Sequence, residues 1–362
     1  VHALRWTLSE ALAAAEASPG ELRQQIGLAI GVPVVVVQSD GRPAKAGEAA
    51  RVAAGLAGLP AVTIAAGMTH ADPAGFDVDS DDPEPLVSAV LAHPTAAVVA
   101  AQVLRVNERL PAADGLVVES LAYATLQSGP EHQAWLARRG RKVRNDLDRP
   151  RLQLIDPGGP DGTDGPLELV LDRPRLHNLM DSAMRDQLAD ALRTVAAIDP
   201  PRRLLWRANG PSFCAGGDPA EFGSVADPAA AHTIRSSAGP AALLASISDR
   251  VSVVIEGPAV GAGIELAAFC ADVTAGPGAR FALPELAMGL IPGAGGTVSI
   301  PLRIRRQRTL QWPLRGPDVD PPTAPARVVG SRHGDVQLLR RRTRRGRGVR
   351  LPGDVRARLA RQ

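Results

Sequence analysis

The chain has 362 residues, 45% of them hydrophobic and 3% aromatic, with a formal net charge of +3. That composition excludes a disordered or fibrous protein and allows two domains around a sizeable core. The basicity is local: residues 325–362 hold twelve arginines against Asp335 and Asp354, a charge of +10 that leaves −7 for everything before them. A mildly acidic body excludes nucleic-acid binding by that body. Only Lys45 and Lys142 are lysines among 41 basic residues, a bias that points to GC-rich coding rather than to a partner. No run reaches the roughly 18 apolar residues of a membrane span. The N-terminus lacks the basic region and apolar core of a secretory signal. Cys214 and Cys270 make no disulfide framework, and neither sits in a metal-ligand spacing. A soluble cytoplasmic protein is expected, with no membrane or nucleic-acid partner and no metal.

Leu4, Leu8 and Leu12 recur at helical spacing, so residues 1–31 read as helix, broken at Pro19-Gly20. Pro33 to Gln38 is a β-branched run and reads as a buried strand. Gly47 to Leu59 reads as helix and Pro60 to Ala65 as strand. After an acidic loop from Asp77 to Glu84, Leu86 to Leu91 reads as helix and Thr95 to Val103 as strand. Glu119 to Arg138 closes this α/β module, residues 1–145, as one amphipathic helix. Its helix–strand order echoes that of residues 185–255. The module is either a degenerate copy of the 146–324 region or the echo that α/β alternation produces by itself.

Residues 139–150 form a charged connector ending in proline. The next region, 146–324, opens with strands at Leu152 to Ile155 and Leu167 to Leu171 around the glycine-rich turn 158–166. A helix comes next, with Met184, Leu188, Ala191, Leu192 and Val195 on one face. Then come a strand at Arg203 to Arg207, the loop Phe213-Cys214-Ala215-Gly216-Gly217-Asp218, and strands at Val251 to Ile255 and Val273 to Ala275. Residues 325–362 are an arginine-rich tail with little capacity to form a core.

Two carboxylates in this region, Glu265 and Glu285, lie in apolar surroundings, each beside a cluster of small residues: Gly261-Ala262-Gly263 and Pro292-Gly293-Ala294-Gly295-Gly296. Carboxylates are rarely so placed without a partner or a job, and small residues let backbone N–H groups approach a ligand. The pattern points to paired acid/base chemistry next to a backbone anion site.

From Leu167 to about Thr309 the sequence resembles the crotonase (enoyl-CoA hydratase/isomerase) superfamily. The motifs that carry the resemblance are Leu171-Asp172-Arg173-Pro174 with His177-Asn178, Ser212 to Asp218, Val260 to Cys270, and Phe281 to Gly296. The resemblance implies a spiral of ββα units, preceded here by the α/β module, assembled as trimers or pairs of trimers. It implies an acyl-CoA thioester substrate of fatty acid metabolism and no cofactor beyond the CoA moiety. By the same resemblance the N–H groups of Gly217 and Ala262 form an oxyanion hole, Glu265 activates water, Glu285 donates a proton, and Gly293 helps to hold the water. Arg175, Leu176, Ala215, Asp218 and Pro219 fall at positions expected to contact CoA, and Arg173 is a further candidate for its phosphates.

Two glutamates favour enoyl-CoA hydratase. The alternatives are another crotonase-type reaction (isomerisation, thioester hydrolysis or cofactor-independent oxygenation) or a catalytically silent acyl-CoA-binding protein. Cys214 reads as a small buried hydrophobe, since no histidine is near it in sequence. His177 reads as structural or near CoA, and His70 as a solvated surface side chain. The tail reads as a nucleic-acid or membrane-surface segment, a solvated helix or, the favoured reading, a shifted frame, because it does not resemble the family's C-terminal helical region.

Overall fold

Four parallel strands organise the first part of the chain: β1 (Ala3–Thr7), β2 (Val34–Gln38), β3 (Val62–Ala66) and β4 (Val78–Ser80), side by side in sequence order. The computed structural model describes residues 1–16, 19–41, 47–68, 75–140, 151–158, 165–316 and 330–331. Period-two alternation divides the strand side chains between two cores. Val35, Val37 and Ala65 face helices α1 (Leu8–Glu16), α2 (Pro19–Gln25) and α3 (Glu48–Leu56). Val34, Val36, Val62 and Ile64 face α4 (Glu84–Ala92), α5 (Pro94–Asn107) and α6 (Ala112–Gln127).

Four expectations for this region are corrected. Residues 3–7 are an edge strand, not helix: Ala3 packs into one core and Leu4 and Trp6 into the other, an alternation that the Leu4–Leu8–Leu12 spacing hides. Within the acidic stretch, Val78–Ser80 pairs with β3. Thr95 to Val103 is helix, not strand. Ala96, Ala97, Val98, Ala100, Ala101 and Val103 are all buried, and the stripe left open, Thr95, Val99 and Gln102, has an apolar residue in its middle, which blurs the helical period. Its alanines favour helix and Pro94 suits the first turn. Residues 119–138 belong to two helices, because Gly129-Pro130 ends α6 and starts α7 (Pro130–Arg139).

The second part builds a six-stranded sheet from β5 (Leu152–Ile155), β6 (Leu167–Leu171), β7 (Leu204–Ala208), β8 (Val251–Ile255) and two later strands. Helix α8 (Ser182–Ala196) comes after β6 and is capped by the Asp181 carboxylate, which accepts from Met184 N–H at 2.8 Å. It buries Met184, Leu188, Ala191, Leu192 and Val195, the face expected from the sequence. Helices α9 (Pro228–Ala238) and α10 (Pro240–Ser246) precede β8.

A repeated step then appears. Strand β8 adds to the large sheet, β9 (Pro258–Val260) starts a small one, and α11 (Ala262–Ala267) turns the chain back. Strand β10 (Asp272–Ala275) again joins the large sheet, beside β8, and β11 (Arg280–Ala282) the small one, beside β9, before a 3₁₀ turn at Glu285–Met288. These are ββα steps of the kind the resemblance implies. Helices α12 (Gly296–Ser299) and α13 (Pro301–Arg315) come next, and β12 (Gly330–Ser331) pairs antiparallel with β10. Helix α13 is broken at Arg305, whose φ is 68°. His70, most of the 139–150 connector, the centre of the 158–166 turn and all of the tail but β12 lie outside the described residues.

The two parts share a core: Leu286, Leu290, Ile291, Leu310 and Leu314 pack in the cluster that contains β2, β3 and α4 to α6. A buried ionic junction reinforces it. The Asp77 carboxylate, 1% exposed, accepts from Thr63 N–H at 2.8 Å and from Arg105 Nε at 2.8 Å, and lies 3.2 Å from Arg306 Nη1 on α13. Arg306 also donates to the carbonyls of Gly75 and Phe76. Removing one partner of a buried ionic network leaves a charge without compensation. Asp77→Ala is therefore expected to lose about 3–5 kcal/mol in urea denaturation; a loss under about 1 kcal/mol, typical of an exposed pair, would show that the junction does not hold the two parts together.

Candidate active site

Loop 213–218 and the start of α11 meet through close backbone packing. A β-carbon on Gly263 would stand 2.5 Å from the Cys214 carbonyl oxygen, so α11 can lie against this loop only with glycine there. Asn178, fully buried, fastens the loop from behind: its Nδ2 donates to the carbonyls of Asn209 and Ser212, and its Oδ1 accepts from Arg173 N–H. The His177 carbonyl accepts from Ala215 N–H, and the His177 ring is 2.9 Å from Ser212 Oγ. These bonds leave the N–H groups of Gly217 and Ala262 without an acceptor among the described residues. Both residues line a cavity of about 470 Å³.

Glu265 and Glu285, 2% and 7% exposed, line the same cavity. A β-carbon on Gly261 would lie 2.5 Å from Glu285 Oε1 and 3.8 Å from Glu265 Oε1, so one oxygen of each carboxyl group faces the same point of the wall. Their other oxygens differ. Glu265 Oε2 accepts from Ala294 N–H at 2.7 Å and Gly296 N–H at 2.9 Å, whereas Glu285 Oε2 is buried without a partner. Two N–H donors favour a carboxylate; a carboxyl oxygen with no donor in an apolar wall favours the protonated form.

Burial is the main cause that raises Glu285, to about 8. Burial also raises Glu265, followed by the charges of Glu285 and Glu119, and the two amides oppose all three. The groups share one electrostatic environment and titrate together. The donors assign the ionised role to Glu265 and the protonated role to Glu285.

Of the positions the resemblance marks for CoA, Ala215 and Pro219 line the cavity; Arg175, Leu176 and Asp218 are not among its lining residues. Arg175 is exposed on the 3₁₀ turn Pro174–Leu176. The Asp218 carboxylate points inward, 3.1 Å from Arg173 Nη1, and caps the turn at Ala220. Arg173 is itself buried and also lies 3.1 Å from Asp181, so its guanidinium is committed to holding the loop and not free for a phosphate. Gly293 lines the cavity and its N–H has no acceptor among the described residues. The Cys214 thiol is buried and pushed up to about 12, far from a thiolate at neutral pH. Among the described residues no group of three or more His, Cys, Asp or Glu is arranged to hold a metal ion.

Sequence reasoning missed the residues that the first part of the chain brings to this cavity: Tyr123 from α6 and Trp135 and Arg139 from α7, joined by Phe222 and Arg235. Arg235 stacks over the Tyr123 ring at 4.2 Å. It also missed Glu119 on α6, which is 2% exposed and raised to about 7, chiefly by burial. A signal existed, since Glu119 is a lone carboxylate in the apolar stretch 115–124, the criterion that singled out Glu265 and Glu285.

These raised groups tie stability to pH. Glu119 and Glu285 keep their protons up to about 7 and about 8 in the folded chain, against 4.5 as unperturbed groups. Between those limits the folded chain binds more protons than the unfolded one, so stability falls as pH rises, by up to about 1.4 kcal/mol per pH unit for each group. Tm is expected to drop between pH 5 and 8, with a shallower slope in Glu285→Gln. A Tm that rises over this range in the unaltered chain would refute the reading.

Residues 163–323 match the family model described as enoyl-CoA hydratase/isomerase. An enoyl-CoA isomerase/hydratase of Mycosarcoma maydis is 31% identical over 166 residues, 43% of this chain and 61% of that protein. A 2,3-dehydroadipyl-CoA hydratase of Escherichia coli (strain K12) is 35% identical over 132 residues, 36% of this chain and 51% of that protein. A solved enoyl-CoA hydratase/isomerase from Mycobacterium abscessus aligns at 30% identity and a TM-score of 0.43, covering 48% of this chain and 66% of that one. The chain thus spans between half and two thirds of the length of these relatives. Residues 163–323, under half of the chain, are similar to the crotonase, or enoyl-CoA hydratase/isomerase, superfamily in both the family-model match and four ordered motifs.

Proposed function

We propose that the protein hydrates 2-enoyl-CoA thioesters. The observation that carries this reading is the contrast between two buried carboxyl groups facing one point of a cavity: Glu265 holds two amide donors, and Glu285 Oε2 holds none. Water addition needs one base and one acid with separated proton affinities, and environments that push two carboxyls apart assign those roles.

In the proposed reaction the Glu265 carboxylate accepts a proton from water as the water oxygen bonds to C3 of the enoyl group. Electron density moves through the double bond to the thioester oxygen, which faces the free N–H groups of Gly217 and Ala262. Preorganised donors of this kind act without reorganising, and loss of one costs about a hundred- to thousand-fold in rate. The enolate then collapses as the Glu285 carboxyl delivers its proton to C2. Glu265 ends protonated and Glu285 ionised, so a proton must return to Glu285 before the next turnover. The Gly293 N–H is available to hold the water.

A second reading has its own support. Glu285, with Oε2 free of other partners, can act alone once ionised. Its carboxylate takes a proton from one allylic carbon, the thioester oxygen carries the dienolate charge, and the same proton returns to the other carbon, which shifts the double bond between C2–C3 and C3–C4.

Hydration predicts that Glu265→Gln and Glu285→Gln each lower the turnover of crotonyl-CoA by about 10²–10⁴-fold, measured as loss of enoyl absorbance, with the circular dichroism spectrum retained. Wild-type rates in both variants would remove the assignment. No absorbance change with the unaltered protein would favour silent binding, and a 3-enoyl product would favour isomerisation. Turnover should also decline above pH about 8, as Glu285 loses its proton.

A further inference from the structure

Glu119 lies on α6, outside the region that carries the family motifs, yet it meets the turn that holds Glu265. Its Oε1 accepts from Gly295 N–H at 2.6 Å, and its Oε2 accepts from Thr297 N–H at 2.9 Å and the Thr297 hydroxyl at 2.7 Å. The amides on either side of Gly295, those of Ala294 and Gly296, donate to Glu265. Four consecutive N–H groups therefore alternate between two carboxyl groups from different helices. The turn is close-packed around them: a β-carbon on Gly296 would stand 2.6 Å from Glu265 Cγ, and one on Gly115, a turn before Glu119, 3.0 Å from Val298 Cγ2.

We propose that Glu119 is a positioning residue for the reaction, setting the 294–297 turn so that its alternate amides hold Glu265 toward the cavity. The proposal rests on the hydratase reading and concerns how its base is oriented. Three donors converge on Glu119, so an acceptor with two oxygens is required. An amide side chain would turn an NH2 group toward an N–H, and an apolar one would leave buried donors without partners. The groups that face it are Arg235 on α9, Glu265 on α11, Glu285 on the 3₁₀ turn after β11 and Tyr123 on its own helix. The negative charge of Glu119 is one cause that raises Glu265.

A purely structural Glu119 and a positioning one predict different data for Glu119→Gln. Positioning predicts that kcat for crotonyl-CoA falls by about tenfold to a hundredfold with a smaller change in KM. It also predicts that the acid limb of the kcat profile loses the component near pH 7, where Glu119 gains its negative charge and so bears on Glu265. Deuterium exchange of the 292–298 segment should rise. Thr297→Val keeps the charge and removes one donor, so kcat should fall and exchange rise with the acid limb in place; this variant serves if Glu119→Gln does not fold. An acid limb that keeps this component in a folded Glu119→Gln, or wild-type kcat and exchange in Thr297→Val, would overturn the proposal. If the unaltered protein does not hydrate crotonyl-CoA, the hydratase reading fails separately. Exchange at 292–298 and infrared titration of the buried carboxyls, with and without Glu119→Gln, then still decide whether Glu119 sets the turn: unchanged exchange and an unchanged titration would overturn it.

Discussion

The turn from Ala294 to Thr297 is held by two carboxyl groups at once, and much of the site depends on that arrangement. Successive amides point to opposite sides, with Glu265 on one and Glu119 on the other. The chain can present its N–H groups this way because Gly295 sits in the left-handed region, φ 103°, and because Gly296 has no side chain to hold Glu265 away. Once Glu119 is fixed, so is α6. Tyr123, one helical turn further along, then lies against Gly293, where a β-carbon would be 2.1 Å from its ring. The cavity roof and the orientation of Glu265 thus depend on a single set of hydrogen bonds.

That set also explains why the first part of the chain belongs to the site. Helices α6 and α7 bring Tyr123, Trp135 and Arg139 to a cavity whose floor comes from loop 213–218 and α11. The Gly289 carbon lies so near the His132 backbone that a β-carbon there would meet it at 2.6 Å, and His132 Nδ1 is 2.9 Å from the Met288 carbonyl. Around Asp77, Arg105 and Arg306 a second junction joins the same two parts away from the cavity. Packing at both ends limits how far the roof can move relative to the floor.

The elements legible in the sequence were those with a local signature. Val34–Gln38 and Val251–Ile255 announce themselves by β-branched residues, and α8 by its apolar face. The two glutamates stand out as charges in apolar runs. What stayed hidden depended on partners distant in sequence. Arg173 resembles a phosphate contact until Asp218, 45 positions on, is seen beside it. Helix α5 leaves open only a narrow stripe that includes the apolar Val99 and Val106, which blurs the period that would distinguish it from a strand. Glu119 is 176 positions from Gly295, and no local pattern records that pairing.

Three carboxyl groups in one buried space cannot all be ionised with Arg235 as the cation that lowers Glu119, so the hydrogen bonds decide where the protons go. Glu119 is bound by three donors and Glu265 by two, while Glu285 Oε2 has none. Between pH about 7 and about 8 the proton therefore stays on Glu285, and the negative charge concentrates on the pair that grips the turn. For Glu265 this has two opposing effects. Its amides make the carboxylate easier to keep, which alone would make it a weak base; the neighbouring charge of Glu119 raises its affinity for a proton. A base near neutrality needs both, and here the second comes from a helix outside the family's motifs. The same charge bears on Glu285, where it works with burial to keep the proton in place until substrate carbon can accept it. One buried carboxylate, contributed by the first part of the chain, thus raises the proton affinity of both, while the hydrogen bonds separate their roles.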